Sequence, residues 1–414
     1  MNNTALVGWV EAPPNRGTIQ LLWTCLLVIF TSVWTVLHLN VPSSADSRQA
    51  ILLRKLCWAG AALLAPDMVT LNSAAQWRSA NNSVEKMHAL GCKNWTLEHA
   101  FYADSGGFHL ESSDYPSFPV NAASMHYLVQ QGYISCPTIS KEEIWDKSKA
   151  DIFAKGLTLV QSCWLILQSV SRVAQGLAIS QLELFTIAFV TSTIMSYFFW
   201  LHKPQGVGVP TILFFQDSGK TVATVLREAG PLGADPFVDT PLDFIEKPPQ
   251  SWKRRQAMQH FGLPDRPLRR IPDDAICPAN LSTWDCVAVI VPSMLHSTIH
   301  LMGWNFTYPT LLEKYLWRAS SLVLAAGLFA CFAVEYGLRL VGFRGHRSLA
   351  GFWIQPEMRE NGWRHQVIDA WMVFVTCCLI LARLYIIGEV LASLRCLPRS
   401  VFEAVNWAAF IPHV

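Results

Sequence analysis

The chain has 414 residues, and only 15% of them are charged, against roughly 25% in an ordinary soluble protein. Hydrophobic residues make up 51% and mean hydropathy is +0.27, so a soluble multidomain protein and a disordered chain are both excluded. Net charge is +2, which leaves no polybasic surface for nucleic acid. An all-α, polytopic transmembrane bundle of six or seven spans is expected, and the 17 Trp suit membrane–water interfaces.

In chain order, Thr18–Leu39 is the first span, long enough to cross about 30 Å of hydrocarbon. It is longer than a signal-peptide core and has no basic stretch before it. Leu52–Asn72 is the second span. A polar insert over Ser73–Phe153 follows, with turn signals at Ser105-Gly106-Gly107 and Tyr115-Pro116. Leu157–Ala174 and Ile179–Trp200 are the third and fourth spans. A Pro- and Gly-rich insert then fills Leu201–Cys286. Val287–Trp304 is apolar but holds Pro292, His296 and His300, so it reads equally as a re-entrant or interfacial segment. Ala319–Leu338 and Val367–Val390 complete the set. Residues 1–414 form one bundle, with residues 73–153 and 201–286 as caps over one mouth.

Short-loop arginines set the orientation. Arg48, Arg54 and Lys55, with Arg339, Arg344, Arg347, Arg359 and Arg364, fall on one side, read as cytosolic. With six spans the sequons at Asn2, Asn81, Asn94, Asn280 and Asn305 are lumenal, as are both termini. Cys92, Cys136, Cys277 and Cys286 lie in the same lumenal inserts, where disulfides persist. Their connectivity is not legible from sequence.

The chain has no phosphate-binding loop, Cys-x-x-Cys pair or Gly-x-Ser-x-Gly elbow. It also lacks the Asp-rich motif that holds magnesium for diphosphate chemistry; Asp273-Asp274 stands alone. No metal and no cofactor are expected. His296-x-x-x-His300 places two imidazoles on one helical face, read as interfacial histidines beside Trp304. What remains is a group of ionisable residues within apolar helices, where charge is costly and marks function or interhelical pairing. Asp67 follows Pro66, which loosens the helix locally, and Glu183 lies on a stripe with Thr186, Val190, Thr193 and Tyr197. Neither has a basic residue one turn away, and a buried unpaired carboxyl keeps its proton and can serve as a general acid. Asp104 and Glu389 are further acid candidates. His38, Gln168, Arg172, Asp369, Arg383 and Trp304 are candidate substrate contacts. The pocket is expected among the second, fourth and last spans, roofed by the first insert.

A series of local sequences spans nearly the whole chain. It runs from Gly8-Trp9-Val10 and Arg16-Gly17-Thr18 through Leu37-His38-Leu39-Asn40-Val41-Pro42 and Ala65-Pro66-Asp67. Phe101-Tyr102-Ala103-Asp104, Gly106-Gly107-Phe108 and Asp146-Lys147-Ser148-Lys149-Ala150-Asp151 follow. Gly303-Trp304-Asn305-Phe306, Pro309-Thr310, Leu316-Trp317-Arg318, Ala382-Arg383-Leu384-Tyr385 and Phe410-Ile411-Pro412-His413 close it. The series resembles a family of fungal integral-membrane proteins that includes membrane-bound terpene cyclases of the ascofuranone pathway type. The resemblance implies a multi-pass protein of the endoplasmic reticulum and a lipophilic substrate with an aromatic head and an epoxidised farnesyl chain. It further implies protonation of the epoxide and ring closure without redox change, an isomerase-type cyclisation that needs no metal. Another membrane enzyme of lipophilic secondary metabolism, such as a prenyl transferase or isomerase, is the second reading. A transporter, receptor or scaffold is the third. Partners beyond the substrate and membrane lipid are not legible, nor is the oligomeric state.

Overall fold

The computed structural model describes residues 6–11, 16–148, 152–217, 219–234, 237, 239–245, 267–273, 291, 294–340 and 363–407. The described chain is mostly helical. Strand β1 (Leu6–Val7) precedes α1 (Thr18–Val36), α2 (Arg48–Leu64) and α3 (Pro66–Ala89). Then come α4 (Leu97–Asp104), β2 (Phe108–Leu110), β3 (Phe118–Pro119), α5 (Ala122–Gln130) and α6 (Lys141–Lys147). The long α7 (Ile152–Ala174) and α8 (Gln181–Phe199) lead to β4 (Thr211–Leu213), α9 (Val222–Glu228) and α10 (Pro231–Ala234). A helical stretch at 294–299 tightens into a 3-10 turn at His300–Asn305. Helices α11 (Leu311–Leu340) and α12 (Trp363–Ala392) and strand β5 (Leu397–Pro398) complete the order.

Three segments among the described residues are long and apolar enough to cross a membrane: Thr18–Val36, Gln181–Phe199 and Val373–Arg395. The expected second span, Leu52–Asn72, is not a single helix. Ala65 leaves helical geometry at φ −140° and ψ 65°, and Pro66 restarts the chain at the first position of α3. Proline fits there because the first helical N–H needs no partner, and it drives the preceding residue out of the α region.

Contacts fix the direction of each helix. At one end Arg16 meets Glu183 at the start of α8, and Arg172 at the end of α7 reaches the carbonyls of Ser400 and Val401. Strands β1 and β5 pair antiparallel at this end, joining the two ends of the described chain. At the other end Lys155 meets His38, Gln205 reaches the carbonyl of Leu37, and Arg54 reaches that of Asn40. Helix α3 runs beside α8 in the same direction: Thr70 lies against Ser196, and Gln76 against Trp200. Helices α2 and α3 therefore dip into the bundle from the cap end and return to it. Conversely, the chain passes from Asp273, bonded to Asn40 at the cap end, to Thr307, bonded to Gln181 at the far end. Segment 294–305 thus runs from mid-bundle, where His296 meets Ala188, to the far end, whereas Leu52–Asn72 turns back at Pro66. This correction moves both inserts to the end opposite the termini, away from Asn305.

The two inserts are one cap. β2 pairs antiparallel with β3 and parallel with β4, so one strand of the three-stranded sheet comes from the second insert. Trp95, Phe101, Tyr102, Phe108, Phe118 and Met125 fill its core. Gly107 is required beneath Tyr102, because a Cβ there would lie 2.3 Å from the ring. Helix α3 runs past the expected boundary at residue 73 and carries the cap on its outer half. Cys92 and Cys136 form a disulfide that ties the turn after α3 to the segment after α5; Cys277 and Cys286 lie outside the described residues. Closing a loop of this length restricts the unfolded chain by about 3–4 kcal/mol. Cys92→Ser and Cys136→Ser are each expected to destabilise the cap by about that amount, and the double variant by no more than either single one. Limited proteolysis of the cap in detergent checks this.

Candidate functional site

Asp67 stands in the first turn of α3, at the break in the hairpin. The Arg383 guanidinium of α12 donates from Nη2 to its Oδ2 at 2.7 Å. Ser297 donates to the other oxygen at 3.4 Å. Arg383 Nη1 lies 2.6 Å from His296 Nε2, and His296 Nδ1 lies 2.9 Å from the Ala188 carbonyl of α8. An arginine can only donate and a carbonyl can only accept, so His296 is the neutral tautomer with its proton on Nδ1. One ladder therefore joins α3, α12, the 294–299 segment and α8 in the middle of the bundle.

His300 follows one turn later and is fully buried. Its Nδ1 lies 3.1 Å from the His296 carbonyl, while its own carbonyl accepts from Trp317 Nε1 at 3.2 Å and Ser321 at 3.4 Å. Phe185 stands edge-on at 5.9 Å, and the His296 ring lies at 5.2 Å. Gly303 lets Trp317 close in, since a Cβ there would lie 2.7 Å from the indole nitrogen. Despite this packing, His300 Nε2 has no hydrogen-bond partner.

Toward the far end Tyr308 packs 5.7 Å from Trp317 and donates to the Gly303 carbonyl. Glu389 is buried next to this group. Tyr385 lies 3.1 Å from its Oε2, and its Oε1 has no hydrogen-bond partner. Among the described residues no cation stands within 4.0 Å of Glu389. The neighbouring Glu313 takes Arg395 as its own partner. Among the described residues His300 Nε2, beside Phe185 and Trp317, and Glu389 Oε1, beside Tyr385, are thus without hydrogen-bond partners.

The other expected site residues are placed as follows. Glu183 is fully buried but pairs with Arg16 at 2.6 Å and closes the capping box of α8 through Ser180. Asp67 and Glu183, expected to lack basic partners, each have an arginine; the partners lie far off in sequence, so a search along one helix misses them. Among the described residues no hydrogen bond links the two carboxylates. Arg172 spends its guanidinium on the carbonyls of Ala178, Ser400, Val401 and Glu403, so it clamps the C-terminal segment rather than facing a ligand. His38 lies at the cap end, with Nδ1 on the Val36 carbonyl and Nε2 3.1 Å from Lys155. Gln168 is partly buried on α7 and joins neither cluster. Trp304 is partly exposed, with Arg318 4.9 Å over its ring. The Asp369 side chain lies outside the described residues.

His296 and His300 were expected at an interface; both are fully buried instead. Their i, i+4 spacing was the signal for a shared face. Among the described residues no three His, Cys, Asp or Glu side chains are grouped to hold a metal ion. A small apolar recess lies beside the helix break, lined by Val33, Ala62, Pro66, Phe189 and Ser192.

The chain belongs to a family of unknown function (DUF8562), whose profile matches residues 1–251 and 286–414. No curated protein and no solved structure matches the chain.

Asp104 holds the cap, not the bundle cluster. Its Oδ1 accepts from the Ala122 N–H at 2.9 Å and its Oδ2 from Ser79 at 3.4 Å. Burial pushes its carboxyl up to about 6, against the pull of the Ala122 N–H, Lys203 and Ser79. A raised carboxyl favours the folded state while protonated. Its contribution is present below the ordinary range near 3.8 and lost as pH rises through about 6. Asp104→Asn is expected to stabilise the cap by roughly 1–3 kcal/mol at pH 7.5 and to change little at pH 4. Thermal unfolding in detergent at both pH values checks the sign.

Proposed function

We propose that this protein is a membrane-embedded cyclase acting on a lipophilic prenylated aromatic substrate, and that Glu389 is its general acid. Glu389 carries this reading: among the described residues it is a buried carboxyl with no cation within 4.0 Å and with one oxygen that has no hydrogen-bond partner. Asp67 and Glu183 are each engaged by an arginine, Arg383 and Arg16, so proton delivery passes to Glu389. The proton on Oε1 moves to the oxygen of a terminal epoxide, and the C–O bond to the more substituted carbon breaks. The π electrons of an alkene in the chain close the ring on that carbon. A proton lost from the resulting cation, returned to the acid, leaves an isomer of the substrate with no change of redox state. Trp317, Tyr308 and Phe185 offer π faces, each worth about 0.5–2 kcal/mol to a nearby cation.

The membrane setting follows from the exposed faces. Beyond the three apolar segments, α7 and α11 also turn large apolar residues outward, among them Val160, Trp164 and Phe329. We read six crossings: α1, α7, α8, the chain through 294–305, α11 and α12, with the α2–α3 hairpin entering from the cap side only. The Cys92–Cys136 disulfide supports a cap in an oxidising compartment, which we read as the lumen of the endoplasmic reticulum. Arg16, Arg172, Lys314, Arg318, Arg395 and Arg399 then lie at the cytosolic end, while Arg48, Arg54 and Lys55, expected there from the sequence, lie at the lumenal cap end instead.

A second reading rests on the hairpin. A helix broken at mid-bundle, with a charged pair at the break, is also how secondary transporters build coupling sites. Turnover by detergent-solubilised protein, with no sealed compartment, separates the two.

Two outcomes are expected. With an epoxyfarnesyl aryl substrate, Glu389→Gln lowers turnover by about 10²–10⁴, while Glu183→Gln lowers expression with little change per folded molecule. Normal turnover by folded Glu389→Gln refutes the acid assignment. In microsomes Asn94 acquires a glycan and Asn305 does not, because they lie at opposite ends of the bundle; modification of both contradicts the six crossings proposed here.

A further inference from the structure

We infer that Lys55 and Lys155 form a seat for a phosphate anion carried by an anionic lipid of the cap-side leaflet. The inference goes beyond the proposed chemistry and rests only on the membrane setting of that reading. The two lysines come from helices that both pack on α1, Lys55 from α2 and Lys155 from the first turn of α7. Lys55 Nζ stands 4.0 Å over the Trp34 ring. Lys155 Nζ lies 3.1 Å from His38 Nε2 and 6.0 Å from the Tyr197 ring. The His38 Nδ1 lies 2.7 Å from the Val36 carbonyl and holds the ring proton there, so Nε2 accepts from Lys155. That bond uses one of the three N–H groups of Lys155. Among the described residues Lys55 makes no hydrogen bond, and neither lysine has a carboxylate within 4.0 Å.

The neighbouring cations are engaged. Arg54 meets Asp273 at 3.3 Å, and Arg270 lies 3.7 Å from Asp46 and 3.8 Å from Asp273. Lys203 donates to Gln76 and Asn40 and lies 5.1 Å over Trp200. Lys55, Lys155 and Lys203 are all close enough to His38 to oppose a proton on it, so the cluster is cationic. Lys55 and Lys155 are half-buried, and an ammonium withdrawn from water without an anion is costly. Large apolar side chains turn outward beside them: Phe30, stacked 6.1 Å from Trp34, with Leu52 and Leu56 on α2 and Phe153 and Leu157 on α7. A cationic seat bordered by a lipid-facing surface suits a molecule with a phosphate at one end and acyl chains at the other. Soluble phosphate would use the charge and leave the apolar border unused.

The test uses the full chain in detergent micelles with tritiated dioleoylphosphatidylglycerol or dioleoylphosphatidylcholine, by scintillation-proximity binding. Wild type is expected to bind the anionic lipid about thirtyfold more tightly, each lysine contributing about fivefold. Lys55→Gln and Lys155→Gln are each expected to lose about fivefold, and the double variant nearly all of the preference. Lys55→Arg keeps the charge and is expected to keep the preference. Lys55→Gln and Lys55→Arg remain the readout should Lys155→Gln disturb His38 and fail to fold. Lys314→Gln, at the far end, is expected to bind as wild type does. Excess inorganic phosphate is expected to leave the lipid bound; displacement would assign the seat to soluble phosphate and overturn the inference. Equal binding of the two lipids by wild type, a preference that survives in the double variant, or an equal loss in Lys314→Gln also overturns it. Failure of both lipids to bind overturns it and counts against the membrane setting itself. The assay contains no epoxide, so a missing preference in a protein that still turns over its substrate refutes this inference and leaves the cyclase reading standing.

Discussion

The Asp67–Arg383 pair is the interaction on which the rest of the bundle depends. Both groups are buried, and the pair sits where α3 begins, at the bottom of a hairpin whose backbone is broken at Ala65–Pro66. Removing two charges from water costs several kcal/mol each, and only close geometry with further hydrogen bonds repays it. Arg383 provides that geometry by bonding Asp67 and His296 at once, and Ser297 adds a second bond to the carboxylate. The pair thereby decides how deep the hairpin reaches and where the 294–299 segment docks against α8.

From this anchor the two halves of the molecule acquire different duties. Toward the cap, α3 leaves the bundle and carries the sheet and the disulfide on its outer half. Toward the far end, His296 positions the turn that holds His300, and Gly303 lets Trp317 close over it. His300 and Glu389, each with one unpartnered side-chain atom among the described residues, lie on this second side. The satisfied charges build the scaffold.

Much of this was legible in the sequence, and the failures have specific causes. The helical class, the ends of α1 and α8, the cap inserts and the disruption at Pro66 all follow from local composition and proline stereochemistry. Arg383 and Asp67 were both singled out as charges in apolar helices, but their pairing was not, because 316 positions separate them. Hydropathy counted Leu52–Asn72 as a crossing because it reports burial and not direction, and a helix that turns back at Pro66 is as apolar as one that continues. That one miscount put the inserts on the same side as the termini, whereas the cap lies at the end opposite β1 and β5. Trp304 was placed on the face of His296 and His300 by the 3.6-residue period. The backbone tightens to a 3-10 turn from His300 onward, which changes the period to three and rotates Trp304 outward. Strands of two or three residues, paired between distant inserts, leave no alternating pattern to find.

A double-mutant cycle at Asp67 and Arg383 tests the central claim most directly. Unfolding free energies would be measured in one lipid environment for wild type, Asp67→Asn, Arg383→Gln and the double variant. If the pair anchors the hairpin, each single variant leaves an uncompensated buried charge and loses about 3–5 kcal/mol. The double variant then loses less than the sum of the two, giving a coupling energy of about 2–3 kcal/mol. Additive losses, within about 0.5 kcal/mol, would show that the two side chains act independently and would contradict this account of the bundle.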